Sequence, residues 1–141
     1  MGISVYNAVD DFISMINEEW GKGGDVGQTP RLEKVWEEKK VGFVDDRRDI
    51  VVVEPVDEDV KYFGLYGSDF LHSPLIKIDI RSYQDSARHN DIVNEISRII
   101  KSQIRRTGYV DLRVMSSKSL NSLYRNLFRH VLEVRYRELN P

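Results

Sequence analysis

The sequence predicts a single α+β domain, with a mixed or mainly antiparallel sheet that is flanked by two principal helices. Two observations support this prediction: amphipathic helix patterns at residues 5–20 and 86–107, and alternating apolar residues of the strand type between and after them. The chain has 141 residues, which is the size of one ordinary domain. We therefore treat residues 1–141 as one folding unit, with a core large enough to need no disulfide or metal.

The first helix pattern begins near the N-terminus. Ser4 is a suitable N-cap because its hydroxyl can accept a hydrogen bond from an amide of the first turn, and Gly21 is a suitable stop. The apolar residues between them share one helical face, which predicts an amphipathic helix: Val5, Val9, Phe12, Ile13, Ile16 and Trp20.

The second helix pattern is the most regular in the chain. We expect this helix to begin with Ser86 as its N-cap and to close at Gly108, with Arg105 and Arg106 in its last turn. Its apolar residues also share one face: Ile92, Val93, Ile96, Ile99, Ile100 and Ile104.

Strand patterns occur on both sides of the second helix. In residues 75–81, apolar residues alternate with charged ones, which predicts a strand with one apolar face and one solvated face. Residues 110–114 and 128–136 alternate in the same way and predict two further strands. Residues 50–53 are a β-branched run that predicts a buried strand, ended by Pro55.

Less regular segments connect these elements. Residues 31–43 favour a strand, and residues 116–124 form a polar crossover between the last two strands. Residues 21–30 gather four glycines and a proline, which predicts a flexible loop. Residues 56–73 interleave aromatic residues with glycines; a hairpin is one alternative, and our interpretation is a protruding loop that packs on a partner.

The composition excludes several kinds of chemistry. The chain has no cysteine, so it contains no disulfide, thiolate metal site or cysteine nucleophile. Its three histidines share no helical i, i+4 pair, and His130 falls on the apolar face of its strand, where a core histidine is the commoner role. We expect no catalytic centre, cofactor or resident metal. The acid-containing N-terminus predicts neither a signal peptide nor a membrane span.

A metal-dependent nuclease is the enzymatic alternative. Asp49, Glu54 and Asp79 are carboxylates that a folded sheet could bring together around Mg²⁺. Restriction-endonuclease-like folds place an acid two residues before a lysine on one strand, whereas here Arg81 follows Asp79 and Lys77 precedes it. These charges are also what the solvated face of an alternating strand presents, and we favour that interpretation.

A DNA-binding accessory protein of a mobile element is a second alternative. It would use the basic side chains of the second half, but no helix-turn-helix spacing, zinc pattern or aromatic RNA-binding motif accompanies them. We therefore expect no specific nucleic-acid binding. The basic residues are Arg98, Lys101, Arg105, Arg106, Arg113, Lys118, Arg125, Arg129, Arg135 and Arg137.

The charges are unevenly distributed along the chain. The net charge is only -2, but residues 9–59 contain most of the acids and residues 98–137 are mainly basic. Such a distribution suits head-to-tail packing of identical copies. Two solvated faces that differ in sign explain it equally well.

The order of elements and two short runs resemble the tail-completion, or tail-terminator, proteins of tailed bacteriophages and their archaeal relatives. One run is Ile-Lys-Ile-Asp-Ile-Arg-Ser-Tyr at residues 76–83, before the second helix. The other is the alternating Leu-Glu-Val-Arg-Tyr-Arg at residues 132–137, in the last strand. The resemblance covers about residues 3–137 and is strongest over residues 75–137.

This resemblance implies a structural protein in the virion of a tailed virus or provirus, made in the host cytoplasm and without enzymatic activity. It implies a homo-oligomeric ring, usually hexameric, that caps the tail tube and joins it to the head connector. The expected partners are copies of itself, tail-tube protein and head-connector protein, with no membrane. The predicted interface residues are Arg81, Arg105, Arg106, Arg113, Arg135, Arg137, Tyr62, Phe63, Tyr66 and Phe70.

Overall fold

The computed structural model describes residues 4–34, 49–63, 69–83, 85–107, 110–121 and 127–139. Two helices and six strands follow one another along these ranges: α1 (Val5–Glu19), β1 (Arg31–Lys34), β2 (Ile50–Phe63), β3 (Asp69–Tyr83), α2 (Ser86–Ser102), β4 (Arg105–Thr107), β5 (Val110–Ser119) and β6 (Leu127–Glu138).

The six strands form one sheet in the order β1-β2-β3-β6-β5-β4. β1 is parallel to β2, and every other neighbouring pair is antiparallel. α1 packs on β2 and β3, α2 packs on β3 and β6, and the two helices contact each other. The prediction of an α+β fold with a mixed sheet and two helices is therefore confirmed.

The core lies between the helices and one face of the sheet. Burying each large apolar side chain there contributes roughly 1.5–3 kcal/mol, and this burial determines which face of each predicted element turns inward. That the whole chain is one folding unit stays a prediction. The larger buried core residues are Phe12, Met15, Ile16, Val51, Val53, Ile76, Ile78, Ile80, Ile92, Ile96, Ile99, Leu132, Val134 and Tyr136.

Helix α1 has the predicted start. Ser4 Oγ accepts a hydrogen bond from the amide of Asn7 at 3.2 Å, which confirms Ser4 as the N-cap. The helix ends at Glu19, and Gly21 follows with φ of 80°, a left-handed conformation that glycine adopts without steric cost.

Helix α2 differs from the prediction at its start. The N-cap is Asp85 and not Ser86, since the carboxylate of Asp85 accepts a hydrogen bond from the amide of Arg88 at 3.0 Å. A charged acceptor at this position also interacts favourably with the positive end of the helix dipole.

The end of helix α2 also differs, because the helix stops at Ser102 and does not continue to residue 107. The carbonyl of Ile104 accepts a hydrogen bond from the amide of Leu112 at 2.7 Å, so the chain has already joined the sheet. Arg105 and Arg106 consequently lie in β4 and not in a helical turn. Among the described residues, no helix is long and apolar enough to span a membrane.

Strand β2 continues past Pro55, which we predicted to be its end. Pro55 pairs with Ile76, and a β-bulge between Pro55 and Asp57 adds one residue to the strand. Side chains alternate between the two faces of a strand. After one added residue, the odd- and even-numbered positions therefore exchange faces. Val53 faces the helices before the bulge, and Val60 lies on that same face after it.

Residues 56–73 belong mostly to strands, which corrects their interpretation as a protruding loop. Residues 57–63 pair with residues 69–75, as the hairpin alternative requires. β6 pairs with β3 only from Leu75 onwards, so residues 69–74 of β3 pair with β2 alone and form a two-stranded ribbon with it. We call this ribbon, residues 56–63 and 69–74, the hairpin arm. Residues 64–68 lie outside the described residues.

The other strand predictions are confirmed over part of their length. Residues 31–34 form β1, and the rest of the predicted strand 31–43 lies outside the described residues. β5 continues to Ser119 through a bulge between Val114 and Ser116. The first part of the predicted polar crossover, residues 116–119, is therefore strand.

Candidate assembly surface

The sheet face opposite the helices contains a buried carboxylate. Asp79 is 2% exposed and accepts hydrogen bonds from Arg81 at 2.9 Å and from Arg129 at 2.7 and 2.9 Å. Burial by itself raises the pKa of Asp79, but the hydrogen bonds from Arg129 and Arg81 outweigh it and hold the pKa below its usual range. The predicted solvated face of β3 is therefore wrong at this position, because Arg81 lies two residues along the same strand and the register with β6 sets Arg129 diagonally beside Asp79.

The three acids that suggested a nuclease are each neutralised within the chain. Both oxygens of Asp79 are bound by arginine side chains. Asp49 accepts a hydrogen bond from Arg88 at 3.0 Å, and Glu54 lies 2.5 Å from the Nζ of Lys77. In the described part of the chain, no three histidine or acidic side chains converge as metal ligands do.

The glycine-rich loop has no regular secondary structure, and side chains of α2 bind it; that it is flexible stays a prediction. Arg88 donates hydrogen bonds to the backbone carbonyls of Val26, at 2.5 Å, and Gln28. Trp20 Nε1 donates to the carbonyl of Gly27 at 3.1 Å. The sequence did not indicate Arg88 as a partner of this loop, because the contact joins residues that are 62 positions apart.

Three of the arginines predicted at interfaces form ion pairs within the chain, and their role at an interface stays a prediction. Arg106 binds both oxygens of Asp11, at 2.7 and 3.0 Å. Arg137 binds both oxygens of Asp111, at 2.7 and 3.2 Å. Arg81 binds the buried Asp79. Of these pairs, Arg106–Asp11 joins an acid of the first half to a base of the second half, whereas Asp111 and Asp79 are themselves acids of the second half.

The remaining predicted arginines are placed differently from one another. Arg135 donates to the carbonyl of Ser73 at 2.6 Å and lies 3.4 Å from Asp57, so it binds the hairpin arm. Arg113 is the register partner of Arg135 on the neighbouring strand β5, and Arg105 lies on β4; both are exposed. Their role at an interface stays a prediction.

The hairpin arm presents apolar and acidic side chains to solvent. Val56, Val60 and Tyr62 are 48, 43 and 67% exposed. Asp57 and Asp59 lie on the other face of the same strand, and their side chains are 56 and 85% exposed. The other predicted interface aromatics have side chains outside the described residues: Phe63, Tyr66 and Phe70.

Polar contacts fix the base of the arm. Glu58 accepts a hydrogen bond from the amide of Val5 at 3.4 Å, and its other oxygen pairs with Nδ1 of His72. The amide of His72 donates to Glu138 at 3.1 Å. A groove of about 490 Å³ separates the arm from the end of β6. The arm is therefore positioned by its base, and Val56, Val60 and Tyr62 of its outer strand are exposed within the part of the chain that the structure describes.

The opposite side of the sheet ends in an exposed edge. β4 pairs only with Val110 and Asp111, so among the described residues no strand lies beside residues 113–119 of β5. We call residues 113–120, with Ile104 and Arg105, the β5 edge. Its exposed apolar side chains are Ile104, Val114, Met115 and Leu120, and its exposed basic side chains are Arg105, Arg113 and Lys118.

The sequence patterns missed the apolar residues of this edge. Val114 continues the alternation of a core strand and pairs with the buried Val134 on the helix side of the sheet. The helices, however, pack mainly on β2, β3 and β6, so Val114 stays 49% exposed. No signal in a single sequence reports how far a helix covers a sheet.

No protein-family model and no curated protein matches the sequence. The fold is similar to that of a chain in the solved structure described as the virion of a native gene transfer agent particle. The two chains share 12% sequence identity, with a TM-score of 0.50 over 97% of this chain and 92% of the other. At this level of identity the likeness shows a shared fold.

Proposed function

We propose that the protein is a structural component of the virion of a tailed, phage-like particle. The observation that supports this most is the likeness in fold to the gene transfer agent virion chain. The likeness extends over 97% of this chain and 92% of the other chain. Within a virion the protein acts by binding other proteins and performs no chemical reaction.

The finer role that we propose is that of a tail terminator. The two runs that resemble tail-completion proteins, residues 76–83 and 132–137, lie on β3 and β6, which are neighbours in the sheet. Copies of the chain form a homo-oligomeric ring, with six as the expected number. One rim of the ring binds the end of the tail tube, and the other binds the head connector.

Two unlike exposed surfaces support assembly into a ring. The hairpin arm and the β5 edge lie on opposite sides of one sheet, and they differ in charge. A contact between unlike surfaces repeats from copy to copy and forms a closed ring when the rotation per copy divides the circle. A contact between like surfaces would stop at a dimer.

Static light scattering during size-exclusion chromatography tests the proposal, with the protein alone and with tail-tube protein from the same genome. We expect one discrete oligomer larger than a dimer, ring-shaped in negative-stain electron micrographs, and binding to tail-tube protein. A monomer at every concentration that binds neither tail-tube nor connector protein would overturn it. So would a gene that lies in a metabolic operon and not among portal, capsid and tail genes.

DNA binding is the second candidate, and one observation favours it. Arg105, Arg113 and Lys118 are exposed along the same edge and could contact phosphates. This role predicts a DNA affinity that falls steeply with salt and falls further in Arg105→Ala with Arg113→Ala. A chain that only builds a ring shows no such affinity.

A further inference from the structure

We infer that the hairpin arm of one copy packs on the β5 edge of the next copy, and that this contact builds the ring. The inference rests on the proposed self-assembly and adds the two surfaces that meet. The binding partner of each surface is a second copy of this chain.

The sheet topology places the two surfaces so that they cannot meet within one copy. The arm belongs to β2 and β3, whereas β5 lies beyond β6 on the other side of the sheet. β1 pairs only with residues 50–53 of β2, and β4 only with residues 110–111 of β5. Among the residues that the structure describes, neither small edge strand therefore lies beside the arm or beside residues 113–119.

The apolar side chains of the two surfaces match in kind and position. Val60 and Tyr62 lie on the helix side of the arm, since they pair with residues 72 and 70 of β3. Val114 lies on the helix side of β5, and Met115 is the extra residue of the bulge. Burying these side chains against one another removes from water the large apolar residues that the monomer exposes.

The charges decide which surfaces can pair. The arm exposes Asp57 and Asp59 together with one base, Lys61, and Arg135 lies 3.4 and 4.0 Å from the two acids, whose side chains stay 56 and 85% exposed. The edge exposes only bases among its described charged residues: Arg105, Arg113 and Lys118. An arm against an arm would bring acids together, and an edge against an edge would bring bases together, so both like contacts are unfavourable. Charges on an open edge also discourage pairing with uncharged strands. The edge therefore selects an acidic partner, and the arm is one.

Two complementary variants test the contact. The arm variant combines Val60→Ser with Tyr62→Ser, and the edge variant combines Val114→Ser with Met115→Ser. Each variant alone should associate at least about 30-fold more weakly than the wild type, because each lacks one half of the apolar contact. Mixed together they should form a one-to-one dimer and nothing larger, since one intact arm meets one intact edge. Circular dichroism verifies that both variants fold.

Cysteine cross-linking gives a second measurement that does not remove the contact. The chain has no cysteine, so introduced thiols are unique. Under mild oxidation, a chain with Tyr62→Cys and Met115→Cys should form a ladder of covalent oligomers, whereas either change alone should stop at dimers. The matched control pairs Met115→Cys with Asn94→Cys, an exposed position on α2, and should give no ladder.

The outcomes separate this inference from the proposed function. If the wild type forms rings, both serine variants also form rings and the cysteine pair gives no ladder, the ring stands and the arm-to-edge contact is overturned. If the wild type is monomeric at every concentration, with and without tail-tube protein, self-assembly itself is overturned. A one-to-one dimer from the mixture, together with the ladder, supports the contact.

Discussion

Arg106 and Asp11 form a bidentate ion pair, with distances of 2.7 and 3.0 Å, between residues 95 positions apart. The hydroxyl of Tyr136 donates to the same carboxylate at 2.7 Å. Burial, together with the negative charge of Asp11, raises the pKa of Tyr136 far above its usual range, so the phenol stays a donor. One carboxylate thus joins α1, β4 and β6, and an acid of the first half is used inside the molecule.

Removal of this carboxylate should destabilise the fold. Asp11→Ala leaves the buried Tyr136 hydroxyl without its acceptor and Arg106 without its counter-charge, so we expect the free energy of unfolding to fall by about 2–4 kcal/mol. Urea denaturation followed by circular dichroism measures it. The control is Asp10→Ala, since Asp10 is 54% exposed and pairs with Lys34, and an exposed pair contributes about 0–1 kcal/mol. Equal losses in both variants would contradict the structural role of Asp11.

The buried cluster around Asp79 gives a second stability prediction. Asp79→Ala leaves the positive charges of Arg81 and Arg129 side by side without their shared acceptor, so we expect a loss of about 3 kcal/mol in the free energy of unfolding. The matched control on the same sheet face is Glu54→Gln. Its pair with Lys77 is partly exposed, so its loss should stay below about 1 kcal/mol. Stability unchanged in Asp79→Ala would show that the carboxylate is not bound as described.

Two histidines, the buried His89 and the partly buried His130, predict a dependence of stability on pH. Burial lowers the pKa of His89, helped by the nearby His130 and opposed by Asp49, and burial also lowers the pKa of His130. Above pH 6.5, the ordinary pKa of histidine, these rings are neutral in both the folded and the unfolded chain, so their contribution to stability is complete. As the pH falls below that value, the unfolded chain binds protons that the folded chain does not, so stability decreases towards the lower folded pKa.

The size of this effect is measurable by urea denaturation between about pH 8 and pH 5. Each histidine contributes a slope of at most about 1.4 kcal/mol per pH unit below the ordinary value. His89→Gln should reduce the slope below pH 6.5, where the unfolded chain would otherwise bind a proton at this ring. The wild type having equal stability at both ends of the range would contradict the neutral, buried state of these rings.

Two β-bulges explain why β2 and β5 are longer than the sequence predicted. β3 and β6 pair without a register shift, so their alternating side chains could be read from the sequence over residues 75–83 and 127–135. β2 and β5 each contain a bulge, and the alternation reverses at residue 56 and at residue 115. The predicted strand ended at each of these points, although the real strand continues. The hairpin arm and the β5 edge begin where the pattern breaks, so the sequence could not indicate them.

The sequence likewise did not indicate which distant parts of the chain contact each other. Charge alone predicted two oppositely charged regions, but the pairing of Asp11 with Arg106 depends on how α1 crosses the sheet. The composition of residues 21–30 indicated a glycine-rich loop, whereas nothing in the sequence indicated that Arg88 binds it. Local rules predicted the type and order of most elements, and tertiary geometry decided which charged side chains stay on the surface.

The N-cap of α2 offers the sharpest comparison of a local rule with the structure. The sequence pattern favoured Ser86, but the carboxylate of Asp85 accepts the hydrogen bond from the amide of Arg88, so Asp85 should be the residue that matters. We expect Asp85→Ala to lower the free energy of unfolding by about 1 kcal/mol, because an amide of the first turn loses its acceptor. Ser86→Ala should change it by less than about 0.5 kcal/mol, since Ser86 is exposed and already inside the helix. Thermal or urea unfolding of the two single variants measures this difference. A larger loss of unfolding free energy in Ser86→Ala than in Asp85→Ala would show that Ser86 is the N-cap, as the sequence pattern suggested.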